Sequence, residues 1–261
     1  MKKKVIYHQL TSAHVGSGST LGIVDLPIQR EAHTDFPVIP SSAIKGVLRA
    51  NFEKEKGNKE AEILFGNQEQ EGDIIFTDAK VILFPVKSLK GVFVWITSPL
   101  VLNRFERDLN ISVGFDYTVN GSNAKVSSKS VLVGNSIILE EFSFNAVEDQ
   151  NIKKLKNITS QYVDENRIVI LPDDVFKFFV KNYTEVVARI RIDQEKGTVQ
   201  EGGLWYQELT PAETVFYGLI TSRTKNQENL SKIESFINQK TFQFGGDETL
   251  GRGFTYITVG G

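Results

Sequence analysis

The sequence of 261 residues contains no cysteine. Disulfide bonds, thiolate zinc sites and thiol nucleophiles are therefore excluded. Histidine is scarce, since His8, His14 and His33 are the three copies, and a metal site made of histidine alone would need all of them. A chain without cysteine fits a reducing compartment, and the location we expect is the cytoplasm.

An excess of charge of one sign and a long apolar segment are also missing. The chain carries 30 Lys+Arg and 32 Asp+Glu, a formal net charge of -2. This balance argues against a protein that coats nucleic acid by bulk electrostatics, although it leaves room for a local basic groove. The apolar run after the basic start, residues 5–7, is too short for a signal peptide, and no window approaches the length of a membrane span. We expect a globular protein without membrane contact.

The hydrophobic patterns predict a mixture of helices and strands. A helix should begin at Ser41 or Ser42, either of which could cap it, and end near residue 57. A second helix should follow Pro172. Strands are predicted at 4–10, 74–84, 92–97, 214–221 and 254–259, and a third helix at 229–239. The order of the clear elements is compatible with an α+β fold that has a ferredoxin-like βαββαβ core carrying large insertions.

Two stretches interrupt this pattern. Residues from about 100 to 170 contain short apolar runs punctuated by Gly and Asn, which we interpret as an irregular insertion. Residues 186–208 read as a β-hairpin, because two strand-like runs flank the polar turn 193–197 with a glycine at its end.

Two glycine-rich loops are candidate phosphate sites, because glycine lets backbone N–H groups approach an anion closely. The first, residues 16–22, does not have the spacing of a dinucleotide-binding fingerprint. The second, residues 245–253, resembles a Walker A motif but lacks its Lys and Ser/Thr. Either loop alone could be an ordinary turn in which glycine serves only the backbone conformation. Their pairing with Arg30, Lys45, Arg49 and Arg252 nearby in sequence favours a polyanionic ligand.

Several phrases occur together in a recognisable order. They are H-V-G-S-G at 14–18, V-D-L-P-I-Q-R-E at 24–31, P-V-I-P-S-S-A-I-K-G-V-L-R at 37–49, G-L-W-Y-Q-E at 203–208 and G-G-D-E-T-L-G-R-G at 245–253. This set resembles the RAMP superfamily of CRISPR proteins, and within it the repeated backbone subunit of the type III-B (Cmr) effector complex. The resemblance extends from about residue 5 to 259.

The resemblance implies a fold and a set of partners. It implies a single RAMP domain over 1–261 with a modified RNA-recognition-motif (RRM-type) core, an insertion at about 100–170 and a β-hairpin thumb at about 186–208. It implies binding to a guide CRISPR RNA, to copies of itself in a helical stack and to other Cmr complex subunits. It also implies that complementary single-stranded target RNA is cleaved at regular intervals with a divalent metal, Mg²⁺ or Mn²⁺.

The matched motifs imply roles for individual residues. Asp25 matches the loop aspartate near the scissile phosphate and is our candidate catalytic residue and metal ligand, while His14 and Glu208 are further catalytic candidates. Without a functional role, Asp25 would brace a turn, His14 would be structural and Glu208 would be a surface charge. The candidate RNA-binding residues are Gly16, Ser17, Gly18, Arg30, Ser41, Ser42, Lys45, Arg49, Trp205, Tyr206, Gly245, Gly246, Gly251, Arg252 and Gly253. Of these, Trp205 and Tyr206 would stack on bases, or would belong to the core.

Two other functions remain open at this level. The protein could be a non-catalytic RNA-binding scaffold, in which Asp25 only shapes its loop. It could also be a stand-alone RAMP endoribonuclease that processes CRISPR transcripts without a metal. Metal dependence of cleavage separates the second alternative from the leading hypothesis.

Overall fold

The computed structural model describes residues 2–193, 195 and 197–260. The helices are α1 (Ser41–Lys56), α2 (Asn58–Phe65), α3 (Pro99–Leu109), α4 (Lys154–Ile158), α5 (Asp173–Asn182) and α6 (Gln227–Ile237). The strands are β1 (Lys2–Gln9), β2 (Val38–Ile39), β3 (Ile74–Phe76), β4 (Ala79–Ser88), β5 (Val92–Thr97), β6 (Asn123–Val126), β7 (Ser136–Leu139), β8 (Phe142–Glu148), β9 (Ile168–Ile170), β10 (Glu185–Ile192), β11 (Val199–Leu209), β12 (Val215–Ser222), β13 (Lys240–Gln243) and β14 (Phe254–Gly260). Short 3₁₀ turns occur at Lys129–Val131, Gln150–Lys153 and Glu248–Leu250.

The main sheet has the strand order β13-β14-β1-β12-β4-β5-β9-β6-β8-β7, with β2 paired to β4 and β3 paired to β12. Strand β1 lies between β12 and β14 and is antiparallel to both. Helices α1 and α6 contact each other through Phe52 and Phe236, whose ring centroids are 4.9 Å apart. The apolar stripes of both helices, which the sequence pattern identified, are therefore buried in one core.

Strand β4 belongs to two halves of this sheet. Its first half pairs with β12, as in Val81 opposite Phe216, while its second half pairs with β5, as in Val86 opposite Val94. The predicted strand 74–84 is thus two strands, β3 and β4, because Thr77 and Asp78 interrupt the ladder. Strands β5 to β9, which come from the middle of the chain, therefore join the main sheet through the second half of β4.

The stretch 100–170 is not the irregular insertion that we expected. It contains most of α3, the strands β6 to β9 and α4, and its strands continue the main sheet. Ser88 of β4 also pairs with Leu139 of β7, which joins the last strand of the order back to β4. Strands β6, β7 and β9 have three or four residues each, too few for an alternating pattern to stand out in the sequence.

Helix α1 begins at Ser41 as predicted, but neither serine caps it. Pro40 is the N-cap residue, and the Ser41 backbone amide donates to Asp78 Oδ1 at 2.7 Å. This carboxylate comes from the connection between β3 and β4, so no local pattern at Ser41 reveals it. Helix α3 starts at Pro99, directly after its N-cap residue Ser98.

Strands β10 and β11 form a separate antiparallel hairpin, with Arg189 opposite Trp205. Gln194 and Lys196 of the predicted turn lie outside the described residues. Within the ranges that the structure describes, no helix has the length and apolar character needed to cross a membrane.

Asp73 joins the start of β3 to the end of β12 and the start of α6. Its side chain is buried and accepts hydrogen bonds from the Ser222 and Thr224 hydroxyls, the Thr224 amide and Asn229 Nδ2, at 2.7–3.0 Å. Burial alone would raise the pKa of the Asp73 carboxyl, but these hydrogen bonds outweigh it and lower the pKa to about 2. The folded state therefore favours the ionised carboxylate.

We expect Asp73→Asn to lower the free energy of unfolding by about 2 kcal/mol near neutral pH, because an amide cannot replace an acceptor of several hydrogen bonds. The pKa of Asp73 in the folded state lies below its ordinary value. Its contribution is therefore complete above about pH 5 and is lost as the pH falls toward about 2. Urea unfolding at pH 7 and pH 3 should show a gap between wild type and variant that narrows in acid. Glu69→Gln, on an exposed loop, serves as control, and a gap independent of pH would contradict the assignment.

Candidate functional site

Strand β11 holds the segment that carries the predicted catalytic residues. Leu26 forms a parallel bridge with Gln207: its amide donates to the Tyr206 carbonyl at 3.0 Å, and its carbonyl accepts from the Glu208 amide at 2.9 Å. The segment around Leu26 thus lies along β11 as a short additional strand. The position of the predicted catalytic loop is therefore set by the hairpin.

Asp25 is fixed by the same strand. Its Oδ2 accepts a hydrogen bond from the Tyr206 amide at 2.7 Å, and its carbonyl accepts from the Thr20 amide at 3.0 Å. The side chain is partly exposed. Among the residues that the structure describes, no other group donates to this carboxylate. Asp25 does brace its loop, yet it keeps one oxygen open to a ligand.

His14 is held two residues further along the strand. Its Nδ1 lies 2.6 Å from the Glu208 carbonyl oxygen, which can only accept, so Nδ1 carries the proton in the neutral ring. Nε2 is then left with a lone pair. A Cβ atom on Gly16 would lie 2.6 Å from this nitrogen, so glycine at that position leaves room for the ring. The neutral imidazole thus presents a base.

Glu208 has its carboxylate inside the protein, which rules out the alternative of a surface charge. The carboxylate accepts from the Ile28 amide at 3.0 Å, from the Arg30 guanidinium at 2.5 Å and from the Thr184 hydroxyl at 2.7 Å. Arg30 also donates to the carbonyls of Asp35 and Val180. Both side chains brace the loop in this structure. The catalytic role of Glu208 and the RNA contact of Arg30 stay predictions, which these contacts do not favour.

The two glycine loops meet at His14. The Gly246 amide donates to the His14 carbonyl at 3.0 Å, and a Cβ atom on Gly245 would lie 2.2 Å from that oxygen. Gly253 donates its amide to the Ser12 carbonyl, while the Arg252 guanidinium contacts the Ser12 hydroxyl. The presence of glycine at these positions has a structural explanation that does not involve phosphate, because a residue without a side chain lets the second loop approach the segment around His14 closely.

Three of the four predicted RNA-binding residues of α1, all except Arg49, lie on a different feature, a cavity of about 540 Å³. Ser41, Ser42 and Lys45 line it together with the segment 65–72 and Arg223. In the described part of the chain, Lys45 has no hydrogen-bond or ion-pair partner, whereas Arg49 faces Glu53 at 3.9 Å. Neither His14 nor Asp25 lines this cavity. Arg223 was missed because it follows β12, far from every motif.

The remaining candidates are exposed to different degrees. Gly16, Ser17 and Gly18 are exposed, and Ser17 is tied to the Pro27 carbonyl through its amide and hydroxyl. Tyr206 is 42% exposed and Trp205 is partly buried, so Tyr206 at least is not a core residue. Gly251 is partly exposed at the end of the last 3₁₀ turn.

Comparison with known proteins shows the family of the chain and its fold. The sequence profile of the RAMP superfamily matches residues 9–256. The chain belongs to the RAMP superfamily. Among RAMP proteins it is 42% identical to the CRISPR system Cmr endoribonuclease Cmr4 of Pyrococcus furiosus, over 97% of this chain and 93% of that protein. It is 25% identical to the CMR subunit Cmr4 of Saccharolobus solfataricus, over 95% and 93%.

Solved RAMP structures have the same fold. A crystal structure of oligomeric Cmr4 from Pyrococcus furiosus matches with a TM-score of 0.78 at 33% identity, covering 100% of this chain and 99% of that chain. A cryo-EM structure of type III-B Cmr-beta in the apo state matches with a TM-score of 0.81 at 25% identity, covering 99% and 97%. The expected family and the mixed α/β architecture built on a sheet are confirmed.

The predicted site of this RAMP protein contains few side chains that could coordinate a metal ion. Within residues 2–193, 195 and 197–260, no group of three His, Asp or Glu side chains is arranged to hold a cation. The open oxygen of Asp25 is the single carboxylate oxygen that the predicted site presents. Mg²⁺ often takes only one or two carboxylates and completes its shell with waters and phosphate oxygens. The residues present therefore fit a metal shared with RNA.

A pair of glycine substitutions tests the contact between the two loops of the RAMP domain. Gly245 and Gly251 both have positive φ, 87° and 74°, but a Cβ atom on Gly251 would meet no atom within 4 Å. We expect Gly251→Ala to cost about 1 kcal/mol from backbone strain alone. Gly245→Ala should cost about 3 kcal/mol, because its Cβ also meets the His14 carbonyl. Chemical unfolding measures both, and equal losses would contradict the proposed close approach.

Proposed function

We propose that this protein is a guide-RNA-binding backbone subunit of a type III-B CRISPR effector complex and that it cleaves complementary target RNA at regular intervals. The observation that carries the proposal is the use of one strand edge by both catalytic candidates: Tyr206 N–H holds Asp25 and Glu208 C=O holds His14. Alternate residues of a strand are about 7 Å apart and direct these groups to the same side. The 42% identity to a Cmr endoribonuclease supports the same function.

The chemistry is an attack by the 2′-OH of the target strand on its neighbouring phosphate. The O2′–P bond forms, the P–O5′ bond breaks, and the products are a 2′,3′-cyclic phosphate and a 5′-hydroxyl. His14 Nε2 accepts the proton of the 2′-OH, and a proton from water neutralises the departing 5′ oxygen. The resemblance to the RAMP family implies that the thumb flips out one nucleotide at each interval, which would let the 2′ oxygen move in line with the bond that breaks.

Asp25 is the residue that would hold Mg²⁺ or Mn²⁺. When bound, the ion supplies positive charge that stabilises the negative charge developing on the phosphate. Tyr206 fixes one oxygen of Asp25 and so restricts the direction in which the other oxygen can meet a ligand. The same hydrogen bond would also serve a purely structural turn, which keeps the non-catalytic scaffold as the alternative.

The guide RNA is assigned to the cavity at the start of α1. The amides of Ser42 and Ala43 precede the first full turn of hydrogen bonds there, and the Ser41 amide is occupied by Asp78. Lys45 adds an unpaired positive charge to the same cavity, whereas Arg223, which also lines it, is paired with Glu71 at 3.5 Å. Helix N-termini and unpaired basic side chains both favour phosphate. The two glycine loops do not line this cavity, so their RNA contact is a separate part of the proposal.

We infer that the finer architecture is a ferredoxin-like (RRM-type) core, and the order of the strands supports this inference. Strands β14, β1, β12 and β4 are neighbours in the order expected of a ferredoxin-like (RRM-type) core, with α1 after β1 and α6 after β12. The β10–β11 hairpin would act as the thumb over the guide. Its exposed apolar side chains, among them Ile190, Leu204 and Tyr206, suit contact with bases. The oligomeric Cmr4 structure supports association of copies, and the type III-B Cmr-beta structure supports assembly with other Cmr subunits; stacking along the RNA is part of the proposal.

Asp25→Asn should abolish cleavage while guide binding survives, because an amide is a poor metal ligand of nearly the same shape. The test uses the assembled complex with guide and labelled complementary RNA, with and without Mg²⁺ or Mn²⁺. Wild type and the exposed Asp174→Asn control should give regularly spaced cuts only with metal. Normal cutting by Asp25→Asn would remove its catalytic role, and cutting without metal would favour the stand-alone endoribonuclease.

Replacement of His14 tests whether its imidazole acts as a base in cleavage or has only a structural role. We expect His14→Gln to slow cleavage by about 100-fold, since proton transfer by a positioned side chain contributes this much or more. His33, whose side chain is 74% exposed, provides the matched control His33→Gln, which should cleave at the wild-type rate. Single-turnover rates on saturating target measure both, and an equal effect of the two substitutions would refute the assignment.

A further inference from the structure

Three side chains outside the predicted catalytic set close a ring of hydrogen bonds. Arg189 Nη1 donates to Gln207 Oε1 at 2.8 Å and to Asp247 Oδ2 at 3.0 Å. Gln207 Nε2 donates to the same Asp247 oxygen at 2.8 Å. The Arg189 and Asp247 side chains are only 29% and 17% exposed, so water competes weakly for this pair. We call these three residues the Asp247 cluster.

The Asp247 cluster lies beside the strand edge that holds the catalytic candidates. Gln207 stands between Tyr206, which binds Asp25, and Glu208, which binds His14. Arg189 belongs to β10, so the cluster grips both strands of the hairpin. The hairpin is a sheet of its own, and its orientation therefore depends on contacts such as this one. Movement of β11 would move Asp25 and His14 with it.

Asp247 is in turn fixed to the other side of His14. It has a left-handed backbone, with φ 64°, and its carbonyl accepts the amides of Leu250 and Arg252. The preceding residue, Gly246, donates its amide to the His14 carbonyl. The second glycine loop thus holds the backbone of His14, while β11 holds its imidazole. The Asp247 cluster links these two supports.

We propose that Asp247, with Arg189 and Gln207, is a positioning residue that locks β11 to the second glycine loop and so fixes the geometry of Asp25 and His14. The inference rests on the proposed cleavage of target RNA. Asp247 acts through the strand and does not touch the reacting atoms. A small displacement of catalytic groups has a large effect on rate, because both groups must meet the same phosphate.

The test compares Asp247→Asn with Glu248→Gln in the assembled complex with guide and labelled target RNA. Glu248 is the exposed neighbour in the same loop, and its substitution removes the same charge. We expect Asp247→Asn to lower kcat for cleavage about 10-fold or more, with unchanged KM and guide affinity. Glu248→Gln should match wild type. Arg189→Gln should reproduce the effect, and the double variant should be no slower than either single one.

Hydrogen exchange provides a readout that is independent of activity. The amides of Tyr206 and Leu26 should exchange faster in Asp247→Asn and Arg189→Gln, while those of β1 and β12 stay protected and report an intact fold. Unchanged exchange of the Tyr206 and Leu26 amides would overturn the proposal. A loss of guide affinity without faster exchange would also overturn it, because it would mean that Asp247 contacts RNA directly. If Asp25→Asn still cuts, the proposed function fails, whereas a dead Asp25→Asn beside a fully active Asp247→Asn overturns only the positioning role.

Discussion

The backbone N–H and C=O groups of Tyr206 and Glu208 in β11 point to one side of the strand. All four groups form hydrogen bonds with residues of the segment 14–26. Unpaired backbone groups are costly when water is excluded, so this edge imposes one register on the segment. A slip of one residue would turn Asp25 away from Tyr206 and bring Leu26 out of its bridge. The arrangement of the candidate active site is thus a consequence of strand pairing.

The segment 14–30 needs rigid support to hold Asp25 and His14 in place, because it is rich in glycine and serine. The support is supplied from inside by Glu208, which binds the Ile28 amide and the Arg30 guanidinium. Buried carboxylates are stable only when their oxygens are satisfied, so Glu208 and Arg30 depend on each other. Positive charge in a matching motif is therefore not always available to RNA.

The balanced charge of the chain is explained by this division of its basic residues. Arg30, Arg189 and Arg252 are engaged with acceptors of the protein itself. Lys45 faces a cavity beside free helix amides, a combination that favours phosphate, while Arg223 in the same cavity is paired with Glu71. A subunit that binds a short stretch of guide RNA needs no overall positive charge, and mixed charge elsewhere helps neighbouring subunits find their register.

The sequence by itself determined the apolar faces of α1 and α6, the presence of α5, the β10–β11 hairpin, the two glycine loops and the family to which the chain belongs. These features depend on periodicity, turn residues and short motifs, which are local. Only the tertiary structure decided that 100–170 continues the main sheet, that Asp78 caps α1, that Glu208 is buried and that Arg223 joins Lys45. Each of these contacts joins residues that are distant in the chain, and strand pairing brings them together. Asp25 and Tyr206 are 181 residues apart, so a motif names the carboxylate but cannot show which amide orients it.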